Sequence, residues 1–225
     1  MTVGRVQKRQ IRTRARLLEA AHDLMSEQGV DVTTIQEITA RADVGFGTFY
    51  SYFESKDDIA AKVLDCVIHT LGLRNRRANE VAGITDPVAV ISNSVRLTAH
   101  EMRTDPMWRW WLMRTDLMVQ RMNAGFGVFG LEDMRVASEQ GLLRLPDSNV
   151  EVSWSYLIWL LAGTITDIVH GKSPPEAETT MAEAIMRVMG VDTEHAKLVA
   201  HAALPPYPAL KVDFGFNIAS VVAGG

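Results

Sequence analysis

Residues 33–59, TTIQEITARADVGFGTFYSYFESKDDI, constrain the fold more than any other part of the chain. Thr34 followed by Glu37 is a Thr-x-x-Glu capping box, in which the hydroxyl accepts from a free amide of the first turn and the carboxylate reaches back, so a helix should start at Thr34. Ile35, Ile38 and Ala42 recur at roughly helical spacing with Gln36, Glu37 and Arg41 on the other side, which describes a short amphipathic helix ending near Ala42. Aspartate enters the left-handed region at modest cost, so Asp43 permits a tight turn that tucks Val44 inward and lets a new helix start at Gly45. The aromatic run that follows is too dense for one stripe. Phe49 and Phe53, four apart, take the core face and leave Phe46, Tyr50 and Tyr52 elsewhere. Ser55-Lys56-Asp57-Asp58 is a second capping signature. It opens a longer helix whose Ile59, Val63, Cys66 and Val67 form an apolar stripe and whose first turn holds Lys56.

A cation in the first turn of a helix opposes the macrodipole unless an anion is close, and a nucleic-acid phosphate supplies one. Two short helices joined by a tight turn are also the geometry that lays a second helix in the major groove of DNA. Thr34, Tyr50, Tyr52 and Lys56 suit phosphate contacts, and Gln36, Phe46, Gly47 and Thr48 suit base edges. Phe46 and the two glycines favour apolar contact with thymine methyls over dense hydrogen bonding. Any one of these residues is equally at home as packing or as a solvated charge; the constellation is what points to DNA.

With these residues in place, the stretch from about residue 17 to residue 64 resembles the tetracycline-repressor (TetR) family of bacterial transcriptional regulators. RLLEAAHDLMSEQG matches an initial helix, Thr34 and Ile38 match the Thr-x-x-x-Ile start, and GTFYSYFESK, residues 47–56, matches the family's most specific string. The resemblance implies base contacts by Gly47 and Thr48 and phosphate contacts by Tyr50, Tyr52 and Lys56. Three positions depart from the pattern: Thr39 replaces a usual alanine, Asp43 a usual glycine and Gly45 a frequent capping serine. None removes a DNA-contacting group, and glycine caps nearly as well as serine.

Charge is informative once divided. Arg5, Lys8, Arg9, Arg12, Arg14 and Arg16 make the first 16 positions basic with no acid among them, although residues 1–62 as a whole balance at nine basic and nine acidic, so the net charge of −4 resides in the part beyond residue 62. A basic arm ahead of the first helix adds salt-dependent phosphate contacts, or serves only as a solubilising terminus. The single cysteine, Cys66, excludes an intramolecular disulfide framework, and its place on an apolar stripe indicates a buried, inert thiol. No apolar run follows the basic N-terminus, so no signal peptide is expected. The most apolar stretch, residues 154–169, is shorter than the roughly 20 residues a membrane span needs. The expectation is a soluble cytoplasmic protein with no membrane partner.

The division expected is a reading domain over 1–62 and a helical effector-binding and dimerisation domain over 63–225. Asp86-Pro87, Asp105-Pro106 and Ser173-Pro174 each read as an N-cap followed by a first-turn proline, and Asp192 caps a further helix. Gly141, Gly171 and Gly190 stand where helices should stop. No alternating strand pattern of useful length precedes residue 205, so the fold class is all-α throughout. The family resemblance implies that the last two long helices, about 150–170 and 174–189, pair with those of a second subunit in a four-helix bundle. A two-fold dimer fits a palindromic operator on double-stranded DNA, with reading heads about 34–36 Å apart.

Residues 107–122 hold more tryptophan and methionine than one packing stripe requires, and such side chains line adaptable apolar sites. Trp110, Trp111, Met113, Leu117, Met118, Phe126, Trp154, Tyr156 and Trp159 are therefore candidates for the lining of a cavity for a small, largely apolar or aromatic effector. Plain core packing is the alternative for each. His100 and His170 have no partner at ligand spacing, so neither a metal nor a cofactor is expected. The tail, 203–225, departs from the helical pattern, and Phe214, Phe216, Ile218, Val221 and Val222 make it too apolar for a free linker. No Gly-x-Ser-x-Gly elbow, His-Glu-x-x-His or phosphate-binding glycine loop occurs, which argues against an enzyme. The leading expectation is a homodimeric repressor released from its operator by an effector; the rival is a ligand-independent auxiliary DNA-binding protein with a filled C-terminal core.

Overall fold

The computed structural model describes residues 5–104, 106–145 and 148–215, and among them every regular element is an α-helix. The chain divides into two compact units. The first runs to Thr70 and takes back the tail from Lys211, and the second is Leu71–Leu210. The division falls within one long helix, between Thr70 and Leu71.

The first unit contains α1 (Arg5–Gln28), α2 (Ile35–Arg41), α3 (Phe46–Phe49) and the opening turns of α4 (Lys56–Val81). Its core is Leu17, Leu18, Leu24 and Met25 of α1 packed with Ile38, Phe49, Phe53, Ile59, Val63 and Leu64. Burying each such large side chain stabilises the unit by about 1.5–3 kcal/mol. The capping box at α2 is formed in full: the Glu37 amide donates to Thr34 Oγ1 at 3.2 Å and the Thr34 amide donates to the Glu37 carboxylate at 2.8 Å. Those bonds hold the Glu37 carboxyl below its ordinary range.

The three departures from the family pattern have visible accommodations. Buried Thr39 satisfies its hydroxyl on the carbonyls of Ile35 and Gln36, both at 3.0 Å. Asp43 takes the left-handed turn at φ 50°, where the Arg16 guanidinium reaches both its carbonyl and its carboxylate at 3.2 Å. Gly45 caps α3 through its carbonyl, which accepts from Thr48 N at 2.8 Å. At α4 the Ser55 hydroxyl accepts from the Asp58 amide at 3.1 Å. The basic stretch differs from expectation. It forms the first turns of α1 itself, because no glycine or proline interrupts the sequence between Arg5 and Arg16 and lysine, arginine and glutamine are good helix formers.

The second unit holds the rest of α4 with α5 (Pro87–Thr104), α6 (Pro106–Leu112), α7 (Thr115–Glu139), α8 (Val150–Val169), α9 (Ala177–Val188) and α10 (Thr193–His201). Helix α5 is central and packs on α6, α7, α8, α9 and α10, while α8 lies between α7 and α9. Asp86 caps α5 through Val88 N at 3.0 Å, and Asp192 caps α10 through the amides of Glu194 and His195. Asp105 lies outside the described residues, and α6 begins at Pro106. Gly141, Gly171 and Gly190 each have positive φ past the end of a helix.

Helix α9 begins at Ala177, three residues beyond Pro174. Pro174 precedes a second proline, and a residue before proline is driven out of the α region. Residues 174–179 therefore form short-range turns first, with Ala177 N on Pro174 O and Glu178 N on Pro175 O. Helix α8 starts ahead of its apolar run, at Val150 under an Asn149 cap, and so reaches 20 residues. By length and composition it is long and apolar enough to cross a membrane, correcting the shorter estimate from residues 154–169. In this fold its Trp154, Leu157, Ile158, Leu161 and Ile165 are buried against neighbouring helices.

Candidate DNA-reading face and effector cavity

In the first unit, α3 presents what the core does not take. Phe46 and Tyr50 are each 54% exposed, four residues apart, with their rings edge to face at 5.7 Å. Gly47 is exposed with open space where a Cβ would stand, so backbone there can approach a surface closely. Gln36 is exposed, and Thr48 and Tyr52 are half-buried. Two of the side chains expected to contact phosphates are engaged within the protein. The Thr34 hydroxyl donates to Glu37 at 2.8 Å, and the Lys56 ammonium donates to the Asp31 carbonyl at 2.8 Å. An ammonium has three protons, so Lys56 keeps two for another acceptor. Beside α3 the structure adds residues that local pattern did not assign to this face. Lys8, Arg9, Arg12 and Arg16 of α1 line one groove with Gly45 and Thr48.

The second unit holds a partly open cavity of about 430 Å³. One wall is polar: Asn75 and Asn79 of α4, one turn apart, face Ser94 and Thr98 of α5. The Asn75 amide nitrogen donates to Thr98 Oγ1 at 2.9 Å and to Ser94 O at 3.2 Å, and Asn79 Oδ1 accepts from Asn93 at 2.9 Å. The opposite wall is apolar, made by Phe126 and Phe129 of α7 with Trp154, Leu157, Ile158 and Leu161 of α8. Two glycines set this wall. A Cβ on Gly72 would stand 2.3 Å from the Phe129 ring, and one on Gly130 would stand 2.3 Å from the Trp154 ring. Arg76, Glu80 and Asp133 complete the lining. Arg76 lies 4.9 Å over the Phe129 ring, and burial pushes the Asp133 carboxyl above its ordinary range against the opposing pull of Arg76.

Of the residues expected to line such a cavity, the structure places Phe126 and Trp154 on its wall. Trp110, Trp111 and Met118 are buried outside it, with the two indoles edge to face at 4.7 Å and the Arg114 guanidinium 3.7 Å over Trp110. Met113, Leu117, Tyr156 and Trp159 are exposed. His100 and His170 are exposed and are not part of the lining. Cys66 is buried, and desolvation pushes its thiol up to about 12. The polar wall went unread in the sequence, although Asn75 and Asn79 at helical spacing on α4, followed by Ser94 and Thr98 on the next helix, are its trace. Of the tail's apolar residues, Phe214 meets His22 at 5.4 Å between ring centres, while Phe216, Ile218, Val221 and Val222 lie outside the described residues.

Comparison with known proteins agrees with this two-part organisation. Residues 17–63 match the model of bacterial regulatory proteins of the tetR family, and residues 86–202 match that of a tetracyclin repressor-like C-terminal domain. The HTH-type transcriptional regulator HbdR of Aromatoleum sp. (strain CIB) is 38% identical over 82 residues. That match covers 36% of this chain and only 35% of the relative, about a third of its length. Among solved structures, RolR in complex with the ligand resorcinol is 25% identical, with a TM-score of 0.80 over 91% of this chain and 100% of that one. FadR of Thermus thermophilus in complex with lauroyl-CoA is 22% identical, with a TM-score of 0.62 over 80% of this chain and 96% of that one, and shares the fold.

Proposed function

We infer that this chain, which belongs to the tetracycline-repressor family of bacterial transcriptional regulators, is a homodimeric repressor that leaves a palindromic operator when a small, largely apolar or aromatic effector enters the cavity of its second unit. The family consists of regulators, not enzymes. One observation carries the reading: the C-terminal unit holds a 430 Å³ cavity with one hydrogen-bonding wall and one aromatic wall, where a ligand-independent DNA-binding protein calls for a filled core. The likeness to RolR, solved with resorcinol, supports a ligand of that size and character.

DNA contact is assigned to Gln36, Phe46, Gly47 and Thr48 at base edges and to Tyr50, Tyr52, Lys56 and the Thr34 cap at phosphates. The exposure of Phe46 and Tyr50 beside the basic groove of α1 supports that division. Dimerisation is supported by Val152, Tyr156, Trp159 and Leu160, all exposed on one stripe of α8, with Val188 exposed on α9. Tyr156 and Trp159, placed in the cavity by sequence pattern, are reassigned here to that subunit interface. Release follows if the effector binds one conformation better than the other. Helix α4 is the proposed lever, since it carries both Lys56 and the cavity residues Asn75 and Asn79. Such a protein works in the cytoplasm, beside the genome.

The test is a mobility shift with DNA adjacent to the protein's own gene, run at two salt concentrations with and without small phenols. The result expected is salt-sensitive, competitor-resistant binding that the phenols release. Specific binding indifferent to them would favour the auxiliary DNA-binding reading.

A further inference from the structure

After α10 the chain runs back over the second unit as an extended strap. Arg96 donates to the Ala202 carbonyl at 2.7 Å, Arg74 donates to the Pro208 carbonyl at 3.0 Å, and the same guanidinium lies 3.9 Å over the Tyr207 ring. Tyr207 is outside the cavity lining, yet its hydroxyl donates at 3.0 Å to Oδ1 of Asn75, which is in it. The Asn75 amide nitrogen faces the carbonyl of Ser94, an acceptor only, so the amide has one orientation and Oδ1 must take its proton from Tyr207. The other amide proton goes to Thr98 Oγ1. That bond fills an acceptor position of the threonine hydroxyl and leaves its own proton to donate. Each donor in such a chain strengthens the next.

We propose that Tyr207 is a specificity-determining residue of the effector cavity, acting through the chain Tyr207 to Asn75 to Thr98, so that the polar wall offers Thr98 as a hydrogen-bond donor and selects aromatic effectors bearing a neutral oxygen over hydrocarbons of the same shape. The proposal rests on the reading of the cavity as the effector site. It makes the strap part of that site without contact with the ligand, and Tyr207 a positioning residue in its effect on Thr98. Burial raises the Tyr207 phenol well above its ordinary range, so it remains a donor at every physiological pH.

The experiment is calorimetric binding of phenol, resorcinol and hydroquinone to the full chain, with m-xylene as the shape match of resorcinol lacking hydroxyls. Tyr207→Phe keeps the ring over Arg74 and removes only the donor. It should lower affinity for the phenols about fivefold, the worth of one net hydrogen bond, and leave m-xylene unchanged. Thr98→Val should cause a similar loss, and adding Tyr207→Phe to it should cost nothing more. Unchanged phenol affinity in Tyr207→Phe would overturn the relay. An equal loss for phenols and m-xylene with a lower Tm would reduce Tyr207 to a structural support and overturn it too. If the unaltered protein binds none of the probes, the effector-site reading itself falls and the relay with it.

Discussion

Two aromatic pairs show how differently the units are built. Phe46 and Tyr50 stand four residues apart, at the first position and the C-cap of one short helix, meet edge to face and remain more than half exposed. Phe129 and Trp154 come from different helices, are 8% exposed each, and each rests on a glycine where a methyl group would collide with the ring. The first pair is held by local helix geometry and offers its surface outward. The second is held by long-range packing and shapes an interior space. In the first unit the candidate reading surface is written in consecutive residues, whereas in the second the cavity depends on α4, α5, α7 and α8 meeting at the right distance.

This contrast predicts separable losses. The largest effect should come from Phe49→Ala, which removes a ring with no exposure from the small core of the first unit. A cost of about 3–5 kcal/mol should lower the Tm of that unit and abolish operator binding. Gly130→Ala should come next, at about 1–3 kcal/mol, because the Trp154 ring must move off its seat. Phenol binding by calorimetry should then fail while operator affinity persists; a joint loss of both would blur the division. Tyr50→Ala should leave stability within about 0.5 kcal/mol, and Lys56→Ala, which gives up the bond to the Asp31 carbonyl, should cost about 1 kcal/mol. Each should weaken operator binding across sequences, with Lys56→Ala also reducing the salt slope by about one. The smallest effect belongs to Asp133→Asn. Burial raises the folded carboxyl, so the folded state keeps its proton where the unfolded chain has lost it, and stability falls as pH rises from about 4 through the folded value. The variant should lack that decline in Tm measured across this range.

The first unit was largely legible in advance because its determinants are short-range. The Thr34–Glu37 box, the left-handed Asp43, the Gly45 start, the buried Phe49 and Phe53, and the Ser55 cap all span five residues or fewer, and the structure contains each. What pattern missed there was the groove that Arg9 and Arg12 of α1 line together with Gly45 and Thr48, which only the folding of the whole unit brings about. The cavity was legible as a type of site, but its walls were not. Tryptophan-rich α6 drew attention by composition, yet Trp110 and Trp111 are packed outside the lining, whereas asparagine, glycine and threonine at unremarked positions form much of it. Composition shows which side chains want to leave water and not which of them will enclose a space. The late start of α9 has a simpler cause: Ser173-Pro174 has the form of a helix start, but Pro175 drives Pro174 out of the α region.

The account stands on coupling between the two units, and fluorescence anisotropy of a labelled operator titrated with resorcinol at fixed protein concentration tests it most directly. The account predicts saturable release by the unaltered protein and none by Gly130→Ala, although that variant still binds the DNA. Release that survives Gly130→Ala unchanged, or an operator complex indifferent to resorcinol that the calorimeter shows to be bound, would contradict it.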